Sequence, residues 1–131
     1  MCKWLGTIFF LTFYSLILTF SAALFICIFF IQHNYENAYA SSTKNWDIVD
    51  GAIYGSSNLD IPNWLNWFLA DISFHSIHHL SERIPNYNLR ACHKANLHLL
   101  KKSKVLKLSD FPNCFKYIIW DSKNENLIPI N

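Results

Sequence analysis

The strongest feature of the sequence is a continuous apolar segment near its N-terminus, from Trp4 to Ile31, which contains no charged residue. A helix of about 28 residues is about 42 Å long, whereas the hydrocarbon core of a bilayer is about 30 Å thick. The pattern therefore predicts one transmembrane helix over residues 4–31. The alternative is a cleaved secretory signal with Lys3 in its basic region. The apolar part of a signal has only about 7–15 residues, so we favour a membrane span.

Polar and turn-forming residues follow the span, and two further helices are predicted after it. The first covers residues 47–54 and ends at Gly55, because glycine commonly terminates a helix. The second covers residues 62–82. Asp60 can cap its N-terminus, Pro62 suits its first turn, and no helix breaker follows until the next proline.

The first half of the helix predicted over 62–82 is rich in aromatic residues, including Trp64 and Trp67. This composition favours a helix at the membrane interface over the buried core helix of a soluble domain. Residues 90–106 form a basic helix or arm, residues 110–120 a short helix, and residues 121–130 a turn with an extended end. The sequence thus predicts an all-α membrane protein, with one long transmembrane helix followed by interfacial or cytoplasmic helices.

Charge and cysteine content narrow the functional class. The formal net charge is only +2, which does not support nucleic acid as a partner. Seven Lys and Arg residues lie between Arg83 and Lys107, and this excess favours a cytoplasmic C-terminal part close to anionic lipid headgroups. The four cysteines show no CxxC spacing, which fits a reducing compartment better than a disulfide-stapled secreted domain.

Three histidines, His75, His78 and His79, lie close together in the helix predicted over residues 62–82. Successive helical residues turn by about 100°, so the three imidazoles occupy one arc of about 100°. Asp71 and Glu82 fall in the same arc. Imidazoles placed in this way can bind Fe, Zn, Cu or Ni, and the two carboxylates are candidates for orienting them through their second ring N–H groups. We favour this interpretation over a solvated polar face.

A fourth histidine, His33, directly follows the apolar segment and so emerges where the span ends. The alternative for His33 is an ordinary interfacial histidine. His93 and His98 lie in the basic region, and with Cys92 they make at most a weak zinc cluster, so surface placement is the better interpretation. The sequence has no HExxH motif, which leaves a zincin-type protease without support.

Five short motifs follow one another along the chain: FIQHNYENAY, WDIVD, GSSNLDIPNWL, HSIHH and IPNYNL. Their order and spacing resemble the C-terminal part of the integral-membrane acyl-lipid fatty acid desaturases. HSIHH matches the last histidine box of that family, HxxHH, and QHNYE matches the segment in which a further histidine ligand commonly lies. Residues 1–131 would then be a C-terminal fragment of the desaturase domain, with residues 32–131 cytoplasmic or interfacial.

The resemblance implies iron ligation by His33, His75, His78 and His79. In the family, histidines of three boxes and one further position hold two iron ions at the cytoplasmic membrane face. The centre activates dioxygen and introduces a cis double bond into an acyl chain. The implied partners are a membrane lipid or acyl substrate and an electron donor, which is a ferredoxin, a flavoprotein or a b-type cytochrome.

The chain departs from the family pattern in one major respect. No histidine precedes His33, so the first two boxes, HxxxH and HxxHH, have no counterpart. Two octahedral ions held mostly by imidazole need about eight protein nitrogens. We therefore expect a truncated or split desaturase that is inactive alone and requires a separate chain with the other boxes. The competing hypotheses are a small single-span membrane protein that binds a metal ion or a partner without catalysis, and a related hydroxylase.

Overall fold

A computed structural model describes residues 2–41 and 46–130 of the chain. The chain divides into two compact units, and the boundary lies between Phe30 and Ile31. Among the described residues, the smaller, N-terminal unit holds most of one long helix. The larger unit contains the last three residues of that helix, the other helices, the strands and all six histidines.

Helix α1, Cys2–His33, is the longest element of the chain. Its segment Lys3–His33 is long and apolar enough to cross a membrane, with a mean hydropathy of 2.4. Large apolar side chains such as Phe9 and Phe20 are exposed. Such a helix differs from the amphipathic helices of water-soluble domains, which carry a polar face. The long apolar helix predicted from the sequence is therefore present.

Helix α2, Ile48–Tyr54, is short and well capped. Asp47 Oδ1 accepts hydrogen bonds from the backbone N–H groups of Val49 at 2.7 Å and Asp50 at 3.1 Å. These first-turn donors have no acceptor within the helix, so the carboxylate stabilises the helix start. The helix ends at Gly55, and the helix predicted in this region is confirmed.

The continuous helix predicted over residues 62–82 is wrong. The structure has two short helices instead, α3, Asn63–Phe68, and α4, His75–Leu80. Between them Ala70 and Asp71 adopt left-handed backbone conformations, with φ of 55° and 57°. A right-handed helix cannot continue through such residues.

Side-chain contacts stabilise the connection between α3 and α4. Arg90 donates a hydrogen bond to Asp71 Oδ1 at 2.9 Å and forms an ion pair with it. The Ser73 hydroxyl donates to the side-chain oxygen of Asn66, which is only 4% exposed. The local sequence contains no glycine or proline that would signal a break. The break therefore depends largely on contacts within the folded unit.

Ala70 offers a direct test of this connection, because its side chain is exposed and its φ is 55°. The left-handed region costs an L-residue about 1–2 kcal/mol, and glycine avoids this cost while adding entropy to the unfolded chain. We expect Ala70→Gly to raise the free energy of unfolding by about 0.5–1 kcal/mol in urea titrations in mild detergent. Ala91→Gly, at an exposed helical position, should lower it by about 1 kcal/mol. Equal losses in both variants would contradict the left-handed assignment.

Two two-stranded sheets correct the all-α prediction. Strands β1, Ser57–Asp60, and β2, Lys104–Lys107, pair in parallel. Strands β3, Tyr117–Asp121, and β4, Asn126–Pro129, pair antiparallel. Asp60, which the sequence predicts as a helix cap, is the last residue of β1, so that assignment is also wrong.

The basic region predicted as a helix or arm over residues 90–106 is divided between α5, Asn86–Ala95, and β2. The helix predicted over 110–120 is only one turn long: a 3₁₀ turn, Leu108–Asp110, leads into α6, Phe111–Cys114. The isoleucine-rich segment after α6 forms β3, because β-branched residues suit the pleated backbone of a strand. The extended end predicted at the C-terminus is present as β4.

An apolar cluster holds α4 against α5. Its fully buried members come from α4, α5 and the segment after α5, and they are Ile77, Leu89 and Leu100. Partly buried apolar side chains surround them, namely Phe74, Leu80, Ile84 and Cys92. The helix that carries three of the histidines is therefore anchored in the core of the larger unit.

Candidate metal centre

Three imidazoles converge in the larger unit, those of His33, His75 and His79. The Nε2 atom of His75 lies 3.0 Å from that of His33 and 3.1 Å from that of His79. The Nε2 atoms of His33 and His79 are 3.2 Å apart. His33 is the last residue of α1, and the other two lie one helical turn apart on α4. The three nitrogens form a nearly equilateral triangle, called the histidine triangle below.

The histidine triangle has the dimensions expected for three ligands of one metal ion. Imidazole nitrogens bind divalent first-row ions at about 2.1 Å, so adjacent ligands lie about 3.0 Å apart around an octahedral ion and about 3.4 Å apart around a tetrahedral ion. The observed separations are 3.0, 3.1 and 3.2 Å, and their average is closer to the octahedral value. Imidazole is a good ligand for iron. The spacing and chemistry of these donors therefore fit an iron ion.

The backbone carbonyl of Gly55 orients His33. Its oxygen lies 2.9 Å from Nδ1 of His33, and because a carbonyl can only accept, Nδ1 must carry the hydrogen. A neutral His33 then has its lone pair on Nε2, the atom that belongs to the histidine triangle. Metal-binding histidines commonly donate their second ring N–H to a carbonyl or a carboxylate. For His33 this acceptor is a carbonyl.

Burial keeps the other two imidazoles of the histidine triangle neutral. His75 is fully buried, and its burial, followed by the nearby His79, His33 and His78, lowers the pKa of His75 to about 2. Burial, followed by His33 and His78, lowers the pKa of His79 to about 4, while Glu82 acts in the opposite direction. A neutral imidazole offers a lone pair to a metal ion, whereas an imidazolium does not. Both side chains are therefore ready to bind a cation near neutral pH.

The lowered pKa values predict that the metal-free protein loses stability in weak acid. In the unfolded chain both imidazoles titrate at about pH 6.5, so below that pH the unfolded chain binds more protons than the folded one. Stability is complete above about pH 6.5 and falls as the pH falls. For His75 we expect the free energy of unfolding to drop by about 1 kcal/mol between about pH 7.0 and 5.5. Urea unfolding in mild detergent with EDTA measures this drop, and His75→Gln should reduce it. An identical pH dependence in both proteins would contradict the prediction.

His78, the fourth predicted ligand, lies beside the histidine triangle. Its ring centre is 5.8 Å from that of His75 and 5.9 Å from that of His79. Among the residues that the structure describes, the group of ligand atoms within 4.8 Å of one another consists of the three histidines of the triangle. The structure thus brings together three of the four predicted ligands and leaves His78 next to them.

The two predicted carboxylates have different surroundings. Asp71 lies outside α4, and its Oδ1 is paired with Arg90 at 2.9 Å. The helical geometry that placed Asp71 on the face of the histidines is therefore wrong. Glu82 follows α4 and lines a cavity of about 300 Å³ together with His79. The other lining residues are mostly aromatic, aliphatic or small: Tyr39, Trp46, Ile48, Gly51, Ala52 and Gly55.

The remaining two histidines lie elsewhere. The ring of His93 packs against that of Phe74, with centres 4.8 Å apart, and burial lowers the pKa of His93. His98 is exposed. Across residues 2–41 and 46–130, the one group of three side chains positioned to hold a metal ion is the histidine triangle. The weak zinc cluster considered for Cys92, His93 and His98 is not formed.

Gly55 is a residue of the site that was not predicted from the sequence. A Cβ atom at Gly55 would lie 2.6 Å from the carbonyl oxygen of Gly51 and 2.9 Å from that of Tyr39. Both neighbours are backbone atoms, so only glycine fits without a shift of the main chain. The available signal was the glycine that begins the GSSNLDIPNWL motif, which was interpreted as a helix terminator and as part of the family resemblance but not as a residue of the site.

The chain is similar to known desaturases along most of its length. The family model for fatty acid desaturases matches residues 1–109. A fatty acid desaturase of Bacillus subtilis (strain 168) is 31% identical over 108 residues, which cover 82% of this chain and 30% of the relative. The chloroplastic omega-6 fatty acid desaturase of Spinacia oleracea is 34% identical over 65 residues, which cover 50% of this chain and 14% of the relative. The sn-1 oleoyl-lipid 12-desaturase of Anabaena variabilis is 31% identical over 65 residues, which cover 50% of this chain and 19% of the relative.

No solved structure matches the chain. The chain spans less than a third of the length of these curated relatives. The region matched by the family model nevertheless includes every residue of the histidine triangle and ends before β3. Because this match covers most of the sequence, the chain belongs to the fatty acid desaturase family.

Proposed function

We propose that this chain supplies an iron-binding part of a membrane fatty acid desaturase, an enzyme that uses dioxygen to introduce a cis double bond into an acyl chain. The observation that carries the proposal is the histidine triangle, with separations of 3.0, 3.1 and 3.2 Å, in a chain of the desaturase family. His33, His75 and His79 would hold one iron ion. His78, whose ring lies beside theirs, is assigned to a second ion.

Bound iron would supply the activation of dioxygen that removes hydrogen from two neighbouring methylenes of the acyl chain. The residues of this chain have supporting roles. Burial of His75 excludes water and keeps its imidazole neutral, and the Gly55 carbonyl aims His33 at the ion. The cavity beside His79, with Tyr39 and Trp46 in its wall, is the proposed entrance for the acyl chain, because apolar and aromatic walls suit such a ligand.

The proposed diiron centre needs more ligands than the four histidines assigned here. Two imidazole-rich octahedral sites require about eight protein nitrogens, so the remaining histidines would come from a separate segment or chain that bears the other boxes. Helix α1 would anchor this part as a single span, with the C-terminal part in the cytoplasm. An acyl lipid would be the substrate, and a ferredoxin, a flavoprotein or a b-type cytochrome would donate electrons.

Iron stoichiometry and product formation test the proposal together. The chain is purified in detergent, supplied anaerobically with ferrous iron, and analysed for iron per chain. We expect one iron per chain and no desaturation of an acyl lipid. After assembly with a chain that carries the other histidine boxes, we expect two irons and an unsaturated product by gas chromatography.

Two results would contradict this proposal. Two irons and desaturation by the chain alone would refute its need for further ligands. Absence of iron even with the second chain present would refute the ligand assignment.

A metal-binding membrane protein without catalysis is the second candidate, because only three imidazoles converge among the residues that the structure describes. This second candidate predicts one iron per chain, both for the chain alone and after a chain with the other histidine boxes is added, and no oxidised lipid. A hydroxylated product would instead assign the chain to a related hydroxylase.

A further inference from the structure

A buried polar network lies directly next to the histidine triangle. It consists of Ser56, Asn58, Ser76 and Ser103, whose side chains are 0%, 4%, 0% and 9% exposed. These residues come from three separate segments, namely β1 with the residue before it, helix α4, and the residue before β2. Buried hydroxyl and amide groups destabilise a fold unless they are hydrogen-bonded. The concentration of such groups at one place in a small unit indicates that they have a specific structural role.

Ser76, the neighbour of His75 in the sequence, is the centre of this polar network. Its Oγ lies 2.6 Å from Oγ of Ser103 and 3.2 Å from Oγ of Ser56. Its backbone N–H donates to Oδ1 of Asn58 at 3.1 Å, and Nδ2 of Asn58 donates to Oγ of Ser103 at 2.9 Å. The residue after His75 is therefore held by hydrogen bonds to all three of the other members.

Helix α4 depends on these contacts because it is short and has no capping side chain of its own. Asn58 accepts one of its first-turn N–H groups in place of a cap. The apolar contacts of α4 are non-directional, whereas hydrogen bonds define both a distance and an angle. A rotation of α4 by about 20° would move its side chains by about 2 Å. Such a movement would separate His75 and His79 from His33.

We propose that Asn58 and Ser76 are positioning residues of the metal centre, which fix the rotation of α4 so that His75 and His79 meet His33. This inference rests on the proposed function, since it assigns the histidine triangle to a metal ion. Neither residue is a proposed metal ligand: Asn58 lies in β1, and Ser76 is a non-histidine position of the HSIHH motif. Their effect would be transmitted through His75 and through the start of α4.

Cobalt binding to the full chain in detergent tests the inference, because Co²⁺ reports ligand geometry in its visible absorption spectrum. The wild-type chain should bind one Co²⁺. Asn58→Ala should weaken binding about 10- to 100-fold and change the spectrum, and Ser76→Ala, which keeps the backbone contact to Asn58, should weaken it about tenfold. Asn66→Ala is the matched control, because Asn66 is also 4% exposed but hydrogen-bonds Ser73 outside the polar network.

Urea unfolding of each variant shows whether it is folded under the conditions of the titration. If Asn58→Ala does not fold, the Co²⁺ affinity and spectrum of the milder Ser76→Ala variant test the positioning role. Wild-type affinity and spectrum in the folded variants would overturn the positioning role and leave the proposed function intact. Equal weakening by Asn66→Ala would also overturn it, since the effect would then be a general loss of packing. A wild-type chain that binds no Co²⁺ would refute the ligand assignment itself.

Discussion

Replacement of His75 by alanine is expected to weaken the binding of Fe²⁺ or Co²⁺ by more than about 100-fold, beyond the effect typical of residues that only support a ligand. His75 is fully buried, and its Nε2 lies within 3.1 Å of both other nitrogens of the histidine triangle. Without it, the ion would keep only two of its three converging imidazoles. Titration with Co²⁺ in detergent, followed by visible absorption, measures the loss.

His98→Ala is the matched control for this experiment, because His98 is exposed and lies outside the histidine triangle. It should bind Co²⁺ with the affinity of the wild-type chain. Retention of that affinity by a folded His75→Ala variant would show that the histidine triangle is not the metal site. In an assembled, active enzyme, His75→Ala should abolish the activity, whereas His98→Ala should retain it.

Gly55→Ala is expected to cause the second largest loss of metal affinity. The substitution adds a single methyl group at a position far in sequence from the proposed ligands. The new Cβ would lie 2.6 Å and 2.9 Å from two backbone carbonyl oxygens, so the main chain must move. The Gly55 carbonyl would then leave Nδ1 of His33, which it now holds at 2.9 Å. We expect metal affinity to fall about 10- to 100-fold and the free energy of unfolding to fall by about 1–3 kcal/mol.

Gly6→Ala provides the comparison for Gly55→Ala. A Cβ at Gly6 meets no atom within 4 Å, and alanine is a better helix former than glycine. Gly6→Ala should therefore leave Co²⁺ affinity unchanged. If Gly55→Ala also retains wild-type affinity, then the Gly55 carbonyl does not orient His33.

The residue types of the candidate site could be predicted from the sequence, but not the way they meet. Residues at i and i+4 share a face of any helix, so the proximity of His75 and His79 is a local property. The approach of His33 depends on where α1 ends and on a carbonyl 22 residues away. His78 was predicted to lie in the same arc, yet its ring is beside the histidine triangle.

The errors in the predicted fold have a common physical origin. The long apolar helix and the capped helix α2 are determined by adjacent residues, and both were predicted. The break after α3 is held by Arg90, which lies in α5, and Ala70 gives no local signal for a left-handed backbone. The parallel pairing of β1 with β2 joins distant segments, as parallel strands must. Local sequence patterns contain little information about such contacts.

The pairing of β1 with β2 also leads to an expectation about the order of folding events during synthesis. Ser103 and the strand that follows it lie beyond the histidines in the sequence, so translation must proceed past Lys107 before β1 finds its partner. Closure of this long loop is slow compared with the formation of a local helix. Because Asn58 of β1 contacts the start of α4, we expect the imidazoles of His33, His75 and His79 to converge only after this pairing has formed. Iron loading of the proposed site would then be a late step, after translation has passed Lys107.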